Sequence, residues 1–328
     1  MKKLVKILGL LLVCAIIGLI VFLKVLGNDK NIYISTGFSK NTMIKVDKQE
    51  VSSAQVYIEL MDAKSEYEEL FGADIWLEDI NGKSFGEYVT DNIKTKLTRI
   101  QCMNVMAQKR GIVLSNAEEA DVSKAAKEYM DSLSSDVIKK TGITQTIVEE
   151  MLRQYIIADR LFDDITDEVN TEVSEDEARV IIVQYIKADT VDEIDNIKAR
   201  LDAGESFSSL IKIYNPEEYE YELRRGELEQ SFEEAAYSLA AGEVSDCVET
   251  SQGYYIIMCI SDYEKAKTAV NMEEMVNKRK LEAFNAVLDE YEASVYAEYN
   301  EEAWDKLDVT TAPQVIRRFS VIYEQYFK

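Results

Sequence analysis

Apolar side chains recur at helical spacing through the first half of the chain. Val89, Ile93, Leu97, Ile100, Met103 and Ala107 follow one another at steps of three and four, which predicts an amphipathic helix with one buried stripe. Gly111 is placed to end it, and Ser115-Asn116-Ala117-Glu118 reads as a capping box opening the next helix. A further stripe, Val148, Met151, Tyr155, Ala158, Phe162 and Ile165, alternates the same steps. Helices with one apolar face each need a common core, so these pack together. Ahead of them, Ile32 to about Val51 reads as short strands and turns.

After Val173-Ser174-Glu175-Asp176-Glu177 the texture changes. The run after Arg179, Val180 to Ile186, is β-branched and predicts a strand. A helix carrying Ile194, Ile197 and Leu201 inward follows, stopped at Gly204; shorter helices are expected at about 207–214 and 232–239, and a buried strand at 254–260. Short helices among antiparallel-compatible strands predict a compact α+β domain within an otherwise helical chain. From about Met272 to Trp304 one long helix is expected, with Leu281, Phe284, Leu288, Tyr291 and Val295 on a face that packs back on the helices of 52–170.

Charge and composition narrow the chemistry. Among 328 residues there are 61 acidic and 37 basic side chains, a net −24, and no histidine. No Ser-His-Asp or Cys-His nucleophile system and no His-ligated zinc can be built within this chain, and so acidic a protein is not expected to bind nucleic acid. Ile7 to Leu23 is an uncharged apolar run of 17 residues between Lys6 and Lys24, enough at ~1.5 Å per residue to nearly span a bilayer core. It is read as an uncleaved anchor with the bulk of the chain outside the cytoplasm. A cleaved signal peptide and a lipoprotein processed at Cys14 are the alternatives. The first 27 residues hold four lysines and no acid, so the remainder carries −28. Cys102, Cys247 and Cys259 show no metal-binding spacing; they are read as small buried hydrophobes, with a Cys247–Cys259 bridge as the other reading.

Five blocks in the α+β region share their order and spacing with one family. They are Glu177-Ala178-Arg179-Val180-Ile181-Ile182-Val183; Ala199-Arg200-Leu201-Asp202-Ala203-Gly204-Glu205-Ser206-Phe207; the stretch Arg225 to Leu239; Gly242-Glu243-Val244-Ser245; and Gly253-Tyr254-Tyr255-Ile256-Ile257. This region resembles the parvulin-type (PpiC-type) peptidyl-prolyl cis-trans isomerases. With its flanking helices and anchor, the chain is similar in organisation to PrsA-like and SurA-like extracytoplasmic foldases. The resemblance implies an α+β chain in which a mainly helical chaperone lobe carries an inserted parvulin-like domain. The divisions expected are 1–27 for the anchor, 28–172 for the helical region, 173–265 for the parvulin-like domain, and 266–328 for a C-terminal helix packing on the N-terminal region.

The resemblance also assigns a site and exposes departures from it. The family's first strand reads Ala-Arg-His-Ile-Leu and its last Gly-Tyr-His-Ile-Ile, which places Val180 and Tyr255 where histidines are expected. The family's Tyr-Ser-x-Asp and Gly-Gly-Asp-Leu-Gly elements are reduced to Tyr214-Asn215-Pro216-Glu217 and Tyr221-Glu222-Leu223-Arg224. Leu228 and Phe232 fall where a Met and a Phe hold the substrate proline ring. The expected substrate site is thus Val180, Leu228, Phe232, Thr250 and Tyr255, with Tyr255 as the catalytic candidate, and no metal or cofactor is implied. Partners would be unfolded or partly folded exported proteins through their proline-containing segments, and the membrane through residues 7–23. An isomerase-inactive chaperone, or an adaptor for a single envelope partner, would use the same fold.

Overall fold

The computed structural model describes residues 37–80, 82–214 and 220–328; the expected anchor at 7–23, Cys14 and Asn215-Pro216-Glu217 lie outside the described residues. Strands β1 (Thr42–Val46) and β2 (Gln49–Ser52) lead into helix α1 (Ser53–Phe71), and the hairpin β3 (Asp79–Ile80) and β4 (Lys83–Ser84) leads into α2 (Phe85–Arg110). Helices α3 (Asn116–Ser132), α4 (Ser135–Thr141) and α5 (Gln145–Thr166) follow, then the single turn α6 (Glu175–Ala178). Next come β5 (Ile181–Ala188), α7 (Val191–Asp202), α8 (Phe207–Tyr214), β6 (Tyr221–Leu223), α9 (Gln230–Ser238), β7 (Val248–Thr250) and β8 (Gly253–Ser261). Last are α10 (Lys265–Ser294), β9 (Ala297–Tyr299), α11 (Glu301–Trp304) and α12 (Phe319–Phe327). The fold class is α+β, and among the described residues no helix is long and apolar enough to cross a membrane.

The chain divides into two compact units. The first holds the described residues up to Gln101, with Asn116–Leu152 and Ser294–Lys328. Its antiparallel sheet runs β2-β1-β9, so residues some 250 positions apart in the chain share one ladder, Ile44 pairing with Tyr299. Ser52 starts α1 with a capping box: its hydroxyl accepts from the Gln55 amide, and the Gln55 side chain accepts from the Ser52 amide at 2.8 Å. The α2 stripe is inward as expected, with Val89, Ile93, Leu97 and Ile100 buried, and Gly111 takes φ +75° after the helix ends. Further along α1, the buried Asp62 accepts the Phe319 and Ser320 amides at 2.6 and 2.7 Å. A side chain from one helix thereby satisfies the open N–H groups that begin α12. Beside it, Tyr129 of α3 packs edge-on against Phe319, ring centroids 5.8 Å apart.

The second unit holds Cys102–Ser115 and Arg153–Ala293. Its four-stranded antiparallel sheet has the order β6-β5-β8-β7. Alternation along the central strands divides the core in two. Ile186, Ala188 and Ile256 face α7 and α8 and pack with Ile194, Ile197, Phe207, Leu210 and Ile211. Ile181, Val183 and Ile257 point to the other face and pack with Leu223, Phe232, Ala236 and Tyr237. Helix α10 lies against the helical part of this unit, with Phe284 on Phe162 at 5.1 Å and the Lys109 ammonium 4.8 Å from the Tyr291 ring centroid.

Two expectations need correction. The long helix runs over Lys265–Ser294 rather than to Trp304, and Leu281 on it is 52% exposed. Beyond Ser294 the chain becomes β9, because Ala297, Glu298 and Tyr299 pair with Val46, Lys45 and Ile44 along the edge of β1 that β2 leaves open. Satisfying that open edge outweighs the helical propensity of a short polar stretch. Cys247 is exposed rather than buried, and the Cys247–Cys259 bridge is not formed. Partial desolvation of its sulfur, with Asp195 and Glu249 nearby, pushes the Cys247 thiol up, so it stays protonated and weakly nucleophilic.

Burial raises the Asp62 carboxyl to about 6, with the charge of Glu59 adding to the effect and the two amide hydrogen bonds opposing it. A raised folded-state value means the contribution to stability is complete below about pH 4 and lost as pH rises through about 6. The wild-type protein should therefore gain on Asp62→Asn by up to about 3 kcal/mol between pH 7 and pH 4 in denaturant unfolding. A difference that stays constant across that range would refute the assignment.

Gly253, at φ +126°, would place a Cβ only 2.7 Å from the Ala188 carbonyl oxygen. Gly253→Ala should cost about 1–3 kcal/mol in the same measurement, through strain where β8 meets β5.

Candidate functional site

One face of the β5–β8 ladder builds the site. Tyr185 pairs with Ile257 and Lys187 with Tyr255, so Tyr185 and Tyr255 project from the same face as diagonal neighbours. Helix α9 lays Phe232 across them. The three rings are mutually edge-on, with centroid separations of 5.6 Å (Tyr185–Tyr255), 5.7 Å (Tyr185–Phe232) and 5.3 Å (Phe232–Tyr255). Such geometry sets the positive edge of one ring on the negative face of the next and holds each side chain in place. Tyr221 of β6 extends the cluster from Tyr185 at 6.5 Å.

Above these rings lies a cavity of about 100 Å³ lined by Tyr185, Leu228, Glu229, Phe232, Thr250, Gln252 and Tyr255. Its floor is apolar, with Phe232 3% exposed, while Leu228 stands at the rim at 37%. The β7–β8 turn forms one wall. There the Thr250 hydroxyl donates to the Gly253 carbonyl at 3.1 Å and accepts from the Gln252 amide at 3.0 Å. Glu229 closes the other side by accepting the Ser251 amide and hydroxyl at 2.8 and 2.7 Å. Those bonds hold the Glu229 carboxyl below the usual carboxylate range, so the rim carries a fixed negative charge at neutral pH. The arrangement presents a small desolvated aromatic slot with two phenol groups near it and an anion at its mouth. Such a slot accepts a compact apolar ring and offers no imidazole or thiolate.

Four of the five sequence-predicted residues converge here: Leu228, Phe232, Thr250 and Tyr255 all line the cavity. Val180 does not. It is fully buried just before β5, donating its amide to the Thr268 hydroxyl at 3.0 Å and accepting the Glu264 amide at 2.9 Å. Tyr185 lies five positions further on, ~16 Å along an extended chain. Its neighbours are equally structural. Ala178 accepts from Asn271, and the Arg179 guanidinium lies over Tyr237 while donating to the Tyr237 carbonyl. Tyr237, its hydroxyl donating to the Arg179 and Leu223 carbonyls, is pushed up to about 12 by burial and remains neutral.

Sequence reasoning missed Tyr185, Glu229 and Gln252. Period-two alternation would have found the first, since Tyr185 shares its parity with Val183 and projects with it. Gln252 and Glu229 carried no signal, because the β7–β8 turn brings them to the cavity from 23 residues apart.

Comparison with known proteins places this region. The PPIC-type PPIase domain (rotamase) family matches residues 183–261, beginning after Val180. The foldase protein PrsA of Caldanaerobacter subterraneus subsp. tengcongensis is 24% identical over 265 residues, covering 77% of this chain and 85% of that protein. The foldase protein PrsA of Geobacillus kaustophilus is 40% identical over 87 residues, 24% of this chain and 31% of its own. Among solved structures, the peptidylprolyl isomerase PrsA of Bacillus cereus aligns over 92% of this chain and 100% of its own at 16% identity, with a TM-score of 0.37. Residues 183–261 thus match the PPIC-type isomerase domain family, and over most of its length the chain is similar to foldase proteins PrsA.

Proposed function

We propose that the protein is a membrane-anchored extracytoplasmic foldase whose parvulin-type domain binds proline-containing segments of exported proteins and accelerates their cis-trans isomerisation. The observation that carries this reading is the aromatic slot of Tyr185, Phe232 and Tyr255, set in a region that matches the isomerase family. Residues 7–23 supply the tether, and the −28 carried beyond residue 27 keeps the exported part soluble.

Rotation about an X-Pro bond makes and breaks no covalent bond, and its barrier is ~18–20 kcal/mol. No nucleophile or general base is needed. A site that holds the twisted imide better than the planar one gains tenfold in rate for every ~1.4 kcal/mol of preference. In this chain the proline ring sits on Phe232 beneath Leu228, and the surrounding rings exclude water. Loss of amide conjugation in the twisted state turns the imide nitrogen into a better acceptor, and a phenol O–H of Tyr255 or Tyr185 donates to the substrate. In this reading Tyr185 and Tyr255, diagonal across the β5–β8 ladder, take the positions where the family carries its two histidines. Val180 serves packing alone.

A chromogenic proline tetrapeptide assay on the full-length protein tests the proposal. Catalysis above the uncatalysed rate is expected, with kcat/KM falling at least tenfold in Phe232→Ala and a few-fold in Tyr255→Phe, while circular dichroism stays unchanged. A rate equal to the uncatalysed one would eliminate the isomerase. The histidine-free site favours a second reading in that event, a chaperone with an inactive domain, which predicts suppression of client aggregation that survives both substitutions.

A further inference from the structure

The first unit contains a cleft of about 730 Å³ between the start of α2 and the segment from α11 to Thr310. That volume lies within the range of ligand sites, about 300–1,000 Å³. The chain has two tryptophans, Trp76 and Trp304, and both line this cleft.

Its walls are chemically selective. The Lys94 ammonium lies 4.4 Å from the Tyr299 ring centroid, 5.6 Å from that of Trp304 and 2.7 Å from the Glu301 carboxylate. One wall thus already holds a cation by aromatic faces and a carboxylate together, and the cation is the chain's own. Lys83, the other basic residue of the lining, is taken by Asp91 at 2.6 Å. Glu87, Asp305 and Asp308 then remain as surplus negative charge. Glu87 is kept ionised by the Ser84 amide and hydroxyl, which hold it below the usual carboxylate range. The half-exposed Trp76 and Leu307 add apolar surface between the charges.

A guanidinium or ammonium fits this lining, because it pairs with carboxylates while its methylene stem or planar head lies on indole. An anion does not, since the lining carries five carboxylates against two ammonium groups. We propose that the cleft binds extended peptide segments in which arginine or lysine alternates with apolar residues, independently of proline and of the isomerase slot.

Because both tryptophans line the cleft, intrinsic fluorescence of the full-length protein reports on it directly. The probe is a proline-free heptapeptide alternating leucine and arginine, with its leucine–glutamate counterpart alongside. A saturable change in emission is expected with the arginine peptide, at least tenfold weaker with the glutamate peptide. The doubly neutralised variant Glu87→Gln, Asp305→Asn should raise the apparent Kd at least fivefold. Glu324→Gln, exposed on α12 and absent from the lining, should leave it unchanged. Equal binding of both peptides, no saturable change, or equal weakening by Glu324→Gln would each overturn the proposal. So would the same emission change from calcium alone. Trp76→Phe, leaving Trp304 as the sole reporter, should retain a saturable signal with the arginine peptide, and losing that signal while the helical spectrum is unchanged would also count against the cleft.

Discussion

The antiparallel pairing of β5 with β8 is the constraint from which the isomerase-type site follows. Tyr185 opposite Ile257 and Lys187 opposite Tyr255 decide which side chains share a face, and a slip of one residue would exchange the two cores. With the register as it is, Ile186 and Ile256 are committed to α7 and α8, while Tyr185, Tyr255 and Ile257 are left for α9. Phe232 can then complete the aromatic cluster only from the helix that crosses that face. The bulge between Ile182 and Val183 separates this ladder from the Ala178-Arg179-Val180 segment, which is bound to α10 and Tyr237.

The same chain shows two ways of using carboxylates without histidine, one buried and one exposed. Asp62 sits in a desolvated position where ionisation is costly, and it is kept there by the two amides that begin α12. Glu229 sits at an exposed rim where ionisation is favoured, held by Ser251. One is a tie between distant parts of the chain and the other a fixed charge beside a slot. Burial and hydrogen-bond donors set the difference, since the side chains are chemically alike.

Much of the secondary structure was legible in the residues. The stripes of α2 and α5, the helix ending before Gly204, and the strands at 181–188 and 253–261 follow from periods of 3.6 and 2 and from positive-φ glycine. Leu228, Phe232, Thr250 and Tyr255 were legible through family blocks that keep their order and spacing. Val180 was assigned through the likeness of Ala178-Arg179-Val180 to the family's Ala-Arg-His, and the fold buries it away from the cavity, its backbone bound to Thr268 and Glu264. The end of α10 was misplaced because nothing local in 295–304 announces that β1, some 250 residues earlier, has an edge left unpaired by β2.

By itself, then, the sequence determined the absence of imidazole chemistry, the acidity, the helical stripes and the isomerase-like blocks, all of them properties of composition or local spacing. Only the tertiary structure decided that Tyr185 rather than Val180 faces Tyr255, that Glu229 and Gln252 reach the slot, and that two tryptophans 228 positions apart share one cleft with surplus carboxylates. Those facts depend on strand register and on contacts between segments far apart in the chain. Such contacts form only when long loops close around a common core, and no local pattern encodes them.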